Sequence, residues 1–529
     1  MKYITFVSLL FLIISTNLDL SDLKSRNSDI LNLFSLSTRN LQEENPSPEM
    51  CLKRPNPLNP DIFYFAPVYK AKLYKENDSN EFESGCFKKN KAILQKLSKE
   101  ETIIEIKSEE KSSLFCHDTF IIHTSNINKI HVSMLEGTHI ITLNNLSEND
   151  LDEIALNSIR IMGFCQGIIP SLKSLFYSLE AFIGGLGKDP NHLIPLFRPH
   201  IPKYQLNANL RMLDLYMNWK PEFRNDTVLN INEKEIKTGD FIAISRFDGL
   251  DNIIMIGTGS HIGHSAVAAW IDGELYVLES QDGWYWPKNG IQRTKWSDWV
   301  NYAHIAEFNV AILPIRNDIN FNPEKAVEWF VNEREGLDYG YRNFIFGWID
   351  TPDQNMPFVI EHDHLEFIFT ILEKISRSTS DMIVGEAVNM RLQTKNLSLP
   401  EVIAEASRRG MSFNELLAVR EEDKWVYSNG PNLVCSAFVV AFYKAGGLFD
   451  GMDVQATEFG PKDIYQLDIF DKEYKRPNEC VLADPDLPYC QIMGNLKIDL
   501  PGYSTIKPYS HMNEKCPYVA PLFIRLEGC

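Results

Sequence analysis

Cys435 and His264 are the two residues of this 529-residue chain whose types and surroundings best suit acyl-transfer chemistry. Cys435 opens the run Cys-Ser-Ala-Phe-Val-Val-Ala-Phe-Tyr-Lys-Ala, which ends at Gly446-Gly447. The run predicts a helix over 435–445, apolar nearly all round and therefore central, with a glycine stop after it. A thiol in the first turn of a helix sits at the positive end of the dipole, which favours thiolate. An imidazole beside it would complete a thiolate–imidazolium pair competent to attack a carbonyl. Backbone N–H groups at the same helix end, that of Cys435 included, offer an oxyanion hole. A cysteine in an apolar helix is more often inert core, so the partner has to be argued separately.

The partner comes from a hairpin. Asp272-Gly273 is a strong two-residue turn signal between strands predicted at 263–271 and 274–280. Counting outward pairs Ile271 with Glu274, Ala266 with Glu279 and His264 with Gln281. Side chains alternate along strands, so His264, Ala266, Ala268 and Trp270 share a face with Leu275, Val277, Glu279 and Gln281. His264 and Glu279 become diagonal neighbours, roughly 7–8 Å apart at the backbone. A carboxylate there would hold the imidazole in one tautomer; Gln281 is the alternative orienting residue, and a one-residue slip would turn Glu279 to the other face. Ala266 and Ala268 leave room for the cysteine helix above that face. His261 is a rival base, placed by its glycine-rich surroundings in a loop. Gly257-Thr258-Gly259 lacks the Lys-Ser/Thr of a phosphate loop and leads into a strand, so phosphate binding is discarded. Trp284, with Tyr285 and Trp286, is read as a loop anchor or a lip for substrate.

The elements around this constellation divide the chain. Residues 1–17 read as a signal peptide, with Lys2 and an apolar run shorter than the roughly 20 residues a bilayer requires. Residues 18–48 form a polar leader. Residues 49–235 read as β-rich, with strands near 63–69, 102–106, 119–124 and 139–143, and then helical over 149–186. His117, His123, His131 and His139 lack metal-ligand spacing, and neither a metal nor another cofactor is expected. The region 236–470 carries the hairpin and the cysteine helix, further elements at 240–247 (strand), 305–315 (strand) and 322–335 (helix), and a helical insertion at 351–425. An irregular, cysteine-containing tail, 471–529, follows. Of nine cysteines, four precede Cys435 and four follow it, which suits an exported, disulfide-stapled protein with one free thiol. Sequons at Asn77, Asn145, Asn225 and Asn396 agree with export and glycosylation. The net charge of -19 opposes nucleic-acid partners, and no segment reads as a stable membrane span. The oligomeric state is left open.

These residues resemble the circularly permuted NlpC-type members of the papain-like superfamily, related to lecithin retinol acyltransferase. The likeness lies in Gly239-Asp240-Phe241-Ile242, Gly263-His264-Ser265-Ala266, Val277-Leu278-Glu279-Ser280, Gly336-Leu337-Asp338-Tyr339 and Val434-Cys435-Ser436-Ala437-Phe438-Val439. A later match is Gly460-Pro461-Lys462-Asp463-Ile464-Tyr465. The order, base before nucleophile, is the permuted one. The resemblance implies an α+β fold, an antiparallel sheet packed on a Cys-bearing helix, with Cys435 as nucleophile, His264 as base and Glu279 as third member. It implies Tyr339 and Tyr341 in the binding cleft, although the family's Tyr-Asp pair is here Tyr339-Gly340 and Tyr341-Arg342. The expected activity is a secreted or lumenal thiol hydrolase acting on an amide or peptide bond, with peptide, cell-wall or lipid acyl groups as the candidate substrates. A lipid acyl hydrolase or acyltransferase of the same fold, and a catalytically silent secreted binding protein, are the alternatives.

Overall fold

The computed structural model describes residues 67–114, 116–164, 201, 203–225, 228–282, 289–346, 362–417 and 419–512. The expected signal peptide and leader, and Trp284 with its aromatic neighbours, lie outside them. The chain forms two compact units, one of residues 1–180 with 360–416, the other of residues 181–359 with 417–529. The sequence had placed 351–425 as an insertion in the second region; most of its helices belong to the compact unit of the first.

In the first unit, strands β1 (Val68–Leu73), β2 (Ser79–Phe82), β3 (Phe87–Lys96), β4 (Glu101–Lys111), β5 (Asp118–His123), β6 (Asn128–Ser133), β7 (Gly137–Asn144) and β8 (Ile159–Gly163) make two four-stranded sheets. Their orders are β1-β8-β5-β6 and β2-β3-β4-β7. Alternation in β4, with Thr102, Ile104, Ile106 and Ser108 buried and their neighbours more exposed, is the period-two signature of a sheet covered on one face. Strand β8 corrects the helical reading of 149–186. The helix Glu148–Asn157 closes with its Ser147–Asp150 capping box at the start and Ser158 at φ +68° at the end, and the chain then turns into a strand. Five consecutive buried residues have no period by which strand could be told from helix. The unit also holds helices between 362 and 416, among them His362–Ile375 and Leu399–Arg408, the latter packed on Glu148–Asn157.

In the second unit, β9 (Phe241–Ser245), β10 (His264–Ile271), β11 (Glu274–Gln281), β12 (Gly290–Lys295), β13 (Asn309–Leu313) and β14 (Cys490–Met493) form one sheet in the order β12-β11-β10-β9-β13-β14. All its strand pairs are antiparallel. The fold class is therefore α+β. His261 lies in a loop, as its glycine-rich surroundings imply, after a helix, Leu250–Thr258. Two local expectations change here. The stretch 305–315 is the end of a helix, Trp296–Ile305, followed by the shorter β13. The tail is not wholly irregular, since β14 closes one edge of the sheet and Cys480–Cys490 pins it. The other described disulfide is Cys86–Cys116, in the first unit. Cys435 is the one free cysteine among the described residues; Cys51, Cys165, Cys516 and Cys529 lie outside them.

The core of this unit lies between the sheet and the helix Cys435–Ala445. Ala437, Phe438, Val439, Val440, Phe442 and Tyr443 are all fully buried, which accounts for a helix apolar on nearly every side. Its end is a Schellman motif: the Leu448 N–H reaches the Tyr443 carbonyl, the Gly447 N–H reaches that of Lys444, and Gly447 takes φ +90°. Among the described residues no helix is long and apolar enough to cross a membrane. The asparagines of all four sequons are exposed.

Candidate active site

The hairpin fixes the base. Asp272 and Gly273 adopt φ +52° and +81°, both positive as a type I′ turn requires, and the register runs from Ile271 opposite Glu274 to Ala266 opposite Glu279. Glu279, 1% exposed, therefore stands beside His264, and its Oε2 lies 2.9 Å from His264 Nε2. The other carboxyl oxygen accepts a 3.1 Å bond from Trp299 Nε1. Trp299 was not legible as a site residue, because its stretch carried no partner signal; the only hint was Trp296 three positions earlier, on the same helix face. The alternative orienting residue, Gln281, does not take this place. It is buried at the end of β11 and lines the small cavity beside the imidazole.

The nucleophile arrives from the other side of the sheet. The cysteine helix does not cover Ala266 and Ala268, as the sequence reading had it. It packs with Val267, Ala269 and Leu278, the opposite set of the same two strands. The face bearing Glu279 is met by the Trp296–Ile305 helix that carries Trp299. Ser280 Oγ donates a 2.6 Å bond to the Leu433 carbonyl and so ties β11 to the start of the cysteine helix. Cys435, 4% exposed, is the first residue of that helix after the extended Val434. His264 and Cys435 thus meet where β10 begins and β11 ends, rather than on one face.

Tyr339-Gly340 follows from the same approach. The Gly340 N–H bonds the Leu433 carbonyl at 3.2 Å, and a Cβ on Gly340 would stand 2.8 Å from the Val434 nitrogen. The family's acidic residue would not fit there. Tyr339 is buried beside Cys435. Burial, and then the charges of Cys435, Asp282 and Tyr341, push its phenol well above the usual value, so it stays protonated. Tyr341 packs edge-on against Tyr339 with ring centres 4.9 Å apart and bonds Asn289 at 3.3 Å.

His264 is electrostatically distinct. Burial opposes its cation, but hydrogen bonds and charges from Cys435 and Glu279 prevail and push it up to about 10. His261, the rival base, does the opposite. It stacks on Trp219 at 3.8 Å and bonds the Asp499 carbonyl at 2.8 Å, and burial pulls it down to about 4.

No family profile, curated protein or solved structure matches this chain. The geometry has to carry the functional reading.

Around the pair the walls are rigid and charged. Arg246 is buried, pairs with Asp248 at 2.9 Å and bonds the Ala306 carbonyl. Asp251 accepts the Arg246 backbone N–H and lies so close to Gly263 that a Cβ there would stand 2.3 Å away. Gly263 therefore precedes His264 because the Leu250–Thr258 helix comes close at that point. The cavity bounded by Arg246, Asp251, His264, Gln281, Tyr339 and Cys435 measures about 20 Å³, enough for one water. Among the described residues no cluster of three or more His, Cys, Asp or Glu is set to hold a metal.

Proposed function

We propose that this chain is a secreted or lumenal thiol hydrolase of the amide or peptide class, with a permuted papain-like arrangement of its catalytic unit. The single observation that carries the reading is the linked series Cys435–His264–Glu279 at the start of a buried helix. The order of base before nucleophile, and the antiparallel sheet packed on the cysteine helix, support the permuted likeness. Two disulfides and four exposed sequons suit an exported glycoprotein.

In this mechanism the Cys435 sulfur attacks the substrate carbonyl carbon and the C=O electron pair moves to oxygen. Glu279 occupies Nε2 of His264, which leaves Nδ1 to face Cys435. The Cys435 backbone N–H and the protonated Tyr339 hydroxyl beside it would donate to the oxyanion. Collapse of the tetrahedral intermediate breaks the bond to the leaving amine, which takes the proton held by His264. A water then gives a proton to His264 and its hydroxyl to the acyl carbon. The acid is released and Cys435 is restored. Tyr341 would border the substrate.

Labelling with iodoacetamide near pH 6, together with turnover of peptide and lipid ester panels by wild type and Cys435→Ala, tests this. Alkylation at Cys435 and loss of turnover in the variant are expected. An unreactive thiol with unchanged turnover would overturn the proposal and leave a silent binding protein. Turnover of lipid esters alone would transfer the site to the lipid acyl class.

A further inference from the structure

Two narrow spaces reach Cys435. One, of about 30 Å³, has Phe344, Val434, Phe459 and Pro461 in its wall and neither His264 nor Gln281. The other, of about 20 Å³, is bounded by both of these together with Cys435. Thiol and imidazole share this second space, and its volume suits one water. Gln281 comes two residues after Glu279 on β11, so both side chains leave the strand on the same side. It is 2% exposed, and among the described residues its carboxamide has no hydrogen-bond partner. The amide atoms are not sealed off, since they keep accessible surface while the residue lines the cavity. Charged groups on the same wall are committed to other partners, Arg246 to Asp248 at 2.9 Å and Asp251 to the Arg246 N–H. A buried amide left unpaired costs roughly 1–3 kcal/mol, and one water in this cavity removes that cost.

Resting on the reading of Cys435 as nucleophile, we infer that Gln281 holds the water that releases the acyl group, so that water, rather than an alcohol or an amine, is the acceptor this site is built for. The carboxamide oxygen accepts one O–H of the water and the imidazole takes the other, which leaves an oxygen lone pair for the acyl carbon. As the water oxygen bonds that carbon, its proton passes to His264. The C–S bond then breaks, its electron pair returns to Cys435, and the acid leaves. A lipid alcohol or an amine in the same place would need room for its carbon atoms, which a water-sized space lacks. It would also leave the amide facing hydrocarbon, the costlier outcome.

The test counts products when N-acetylglycine p-nitrophenyl ester is turned over in the presence of hydroxylamine, with the uncatalysed reaction subtracted. Hydroxylamine competes with water for the acyl-enzyme, so the ratio of hydroxamate to acid reads the water step, whichever step limits turnover. Gln281→Met, similar in length but without the amide, should raise that ratio about tenfold, the worth of one hydrogen bond. Gln281→Glu, which keeps an acceptor oxygen, should return it most of the way to wild type. An unchanged ratio in Gln281→Met overturns the assignment, because a merely structural loss slows both products together. If that variant fails to fold, wild type decides: with n-propanol added it should still yield the acid, and propyl ester as the main product overturns the assignment. A wild type that consumes no ester and whose Cys435 resists iodoacetamide overturns the nucleophile instead.

Discussion

The two units each bury a charged cluster, and the clusters are built to different ends. In the first, Arg160 is fully buried, with both its Nη atoms on Glu366 and Nη2 also 3.3 Å from Glu153. Glu153 is held in turn by the N–H and hydroxyl of Ser125. Cation and carboxylates are paired with one another. In the second, His264 has Glu279 on one nitrogen and Cys435 as its other partner, beside a water-sized space. Ions that close on each other hold architecture together, whereas the His264 pair ends on a free thiol beside a cavity, the arrangement the proposed hydrolase would need.

Substitutions that separate stability from activity would break this contrast if it is false. Glu279→Gln should leave the thermal midpoint within a few degrees while kcat/KM falls by roughly 10⁴, the scale seen when a catalytic carboxylate that orients a histidine becomes an amide. A large loss of fold with little loss of turnover would make Glu279 another Arg160. Arg160→Met should do the reverse. It strands two buried carboxylates, at about 3–5 kcal/mol of stability measured by denaturant unfolding, yet leaves alkylation of Cys435 in the folded fraction unchanged.

Titration sharpens the contrast further. His264 is raised from its ordinary value to about 10. Stability from its charge is therefore fully present below about pH 6.5 and is lost as pH rises through about 10. Unfolding free energies at pH 6 and pH 10 should differ more in wild type than in His264→Gln. Cys435→Ala removes a hydrogen bond and a charge that favour the cation, so the imidazole resonances should titrate at lower pH than in wild type. The smallest effect is expected for Trp299→Phe, which deletes one hydrogen bond to Glu279. A loss of about 1 kcal/mol, read as up to about tenfold in kcat/KM, would mark Trp299 as a positioning residue, and rescue by Trp299→His would support that.

Much of the site was legible because its signals are local. A two-residue Asp-Gly turn fixes a register, and the register fixes which residues oppose one another, so Glu279 could be set beside His264 by counting. The cysteine helix was legible to its last residue, since an apolar run and a double glycine define it without reference to the rest of the chain. Strand β8 was not, because five buried residues lack a period. The role of Gly340 likewise shows only against the backbone of Leu433 and Val434.

By itself the sequence determined the two elements that carry His264 and Cys435, because turns, strand alternation and helix stops depend on neighbours within a few positions. Only the tertiary structure decided which face the cysteine helix covers, that Trp299 holds Glu279, and that helices from 362 onward pack in the first unit. Each of these joins residues far apart in the chain, and packing free energy, rather than local propensity, selects such partners.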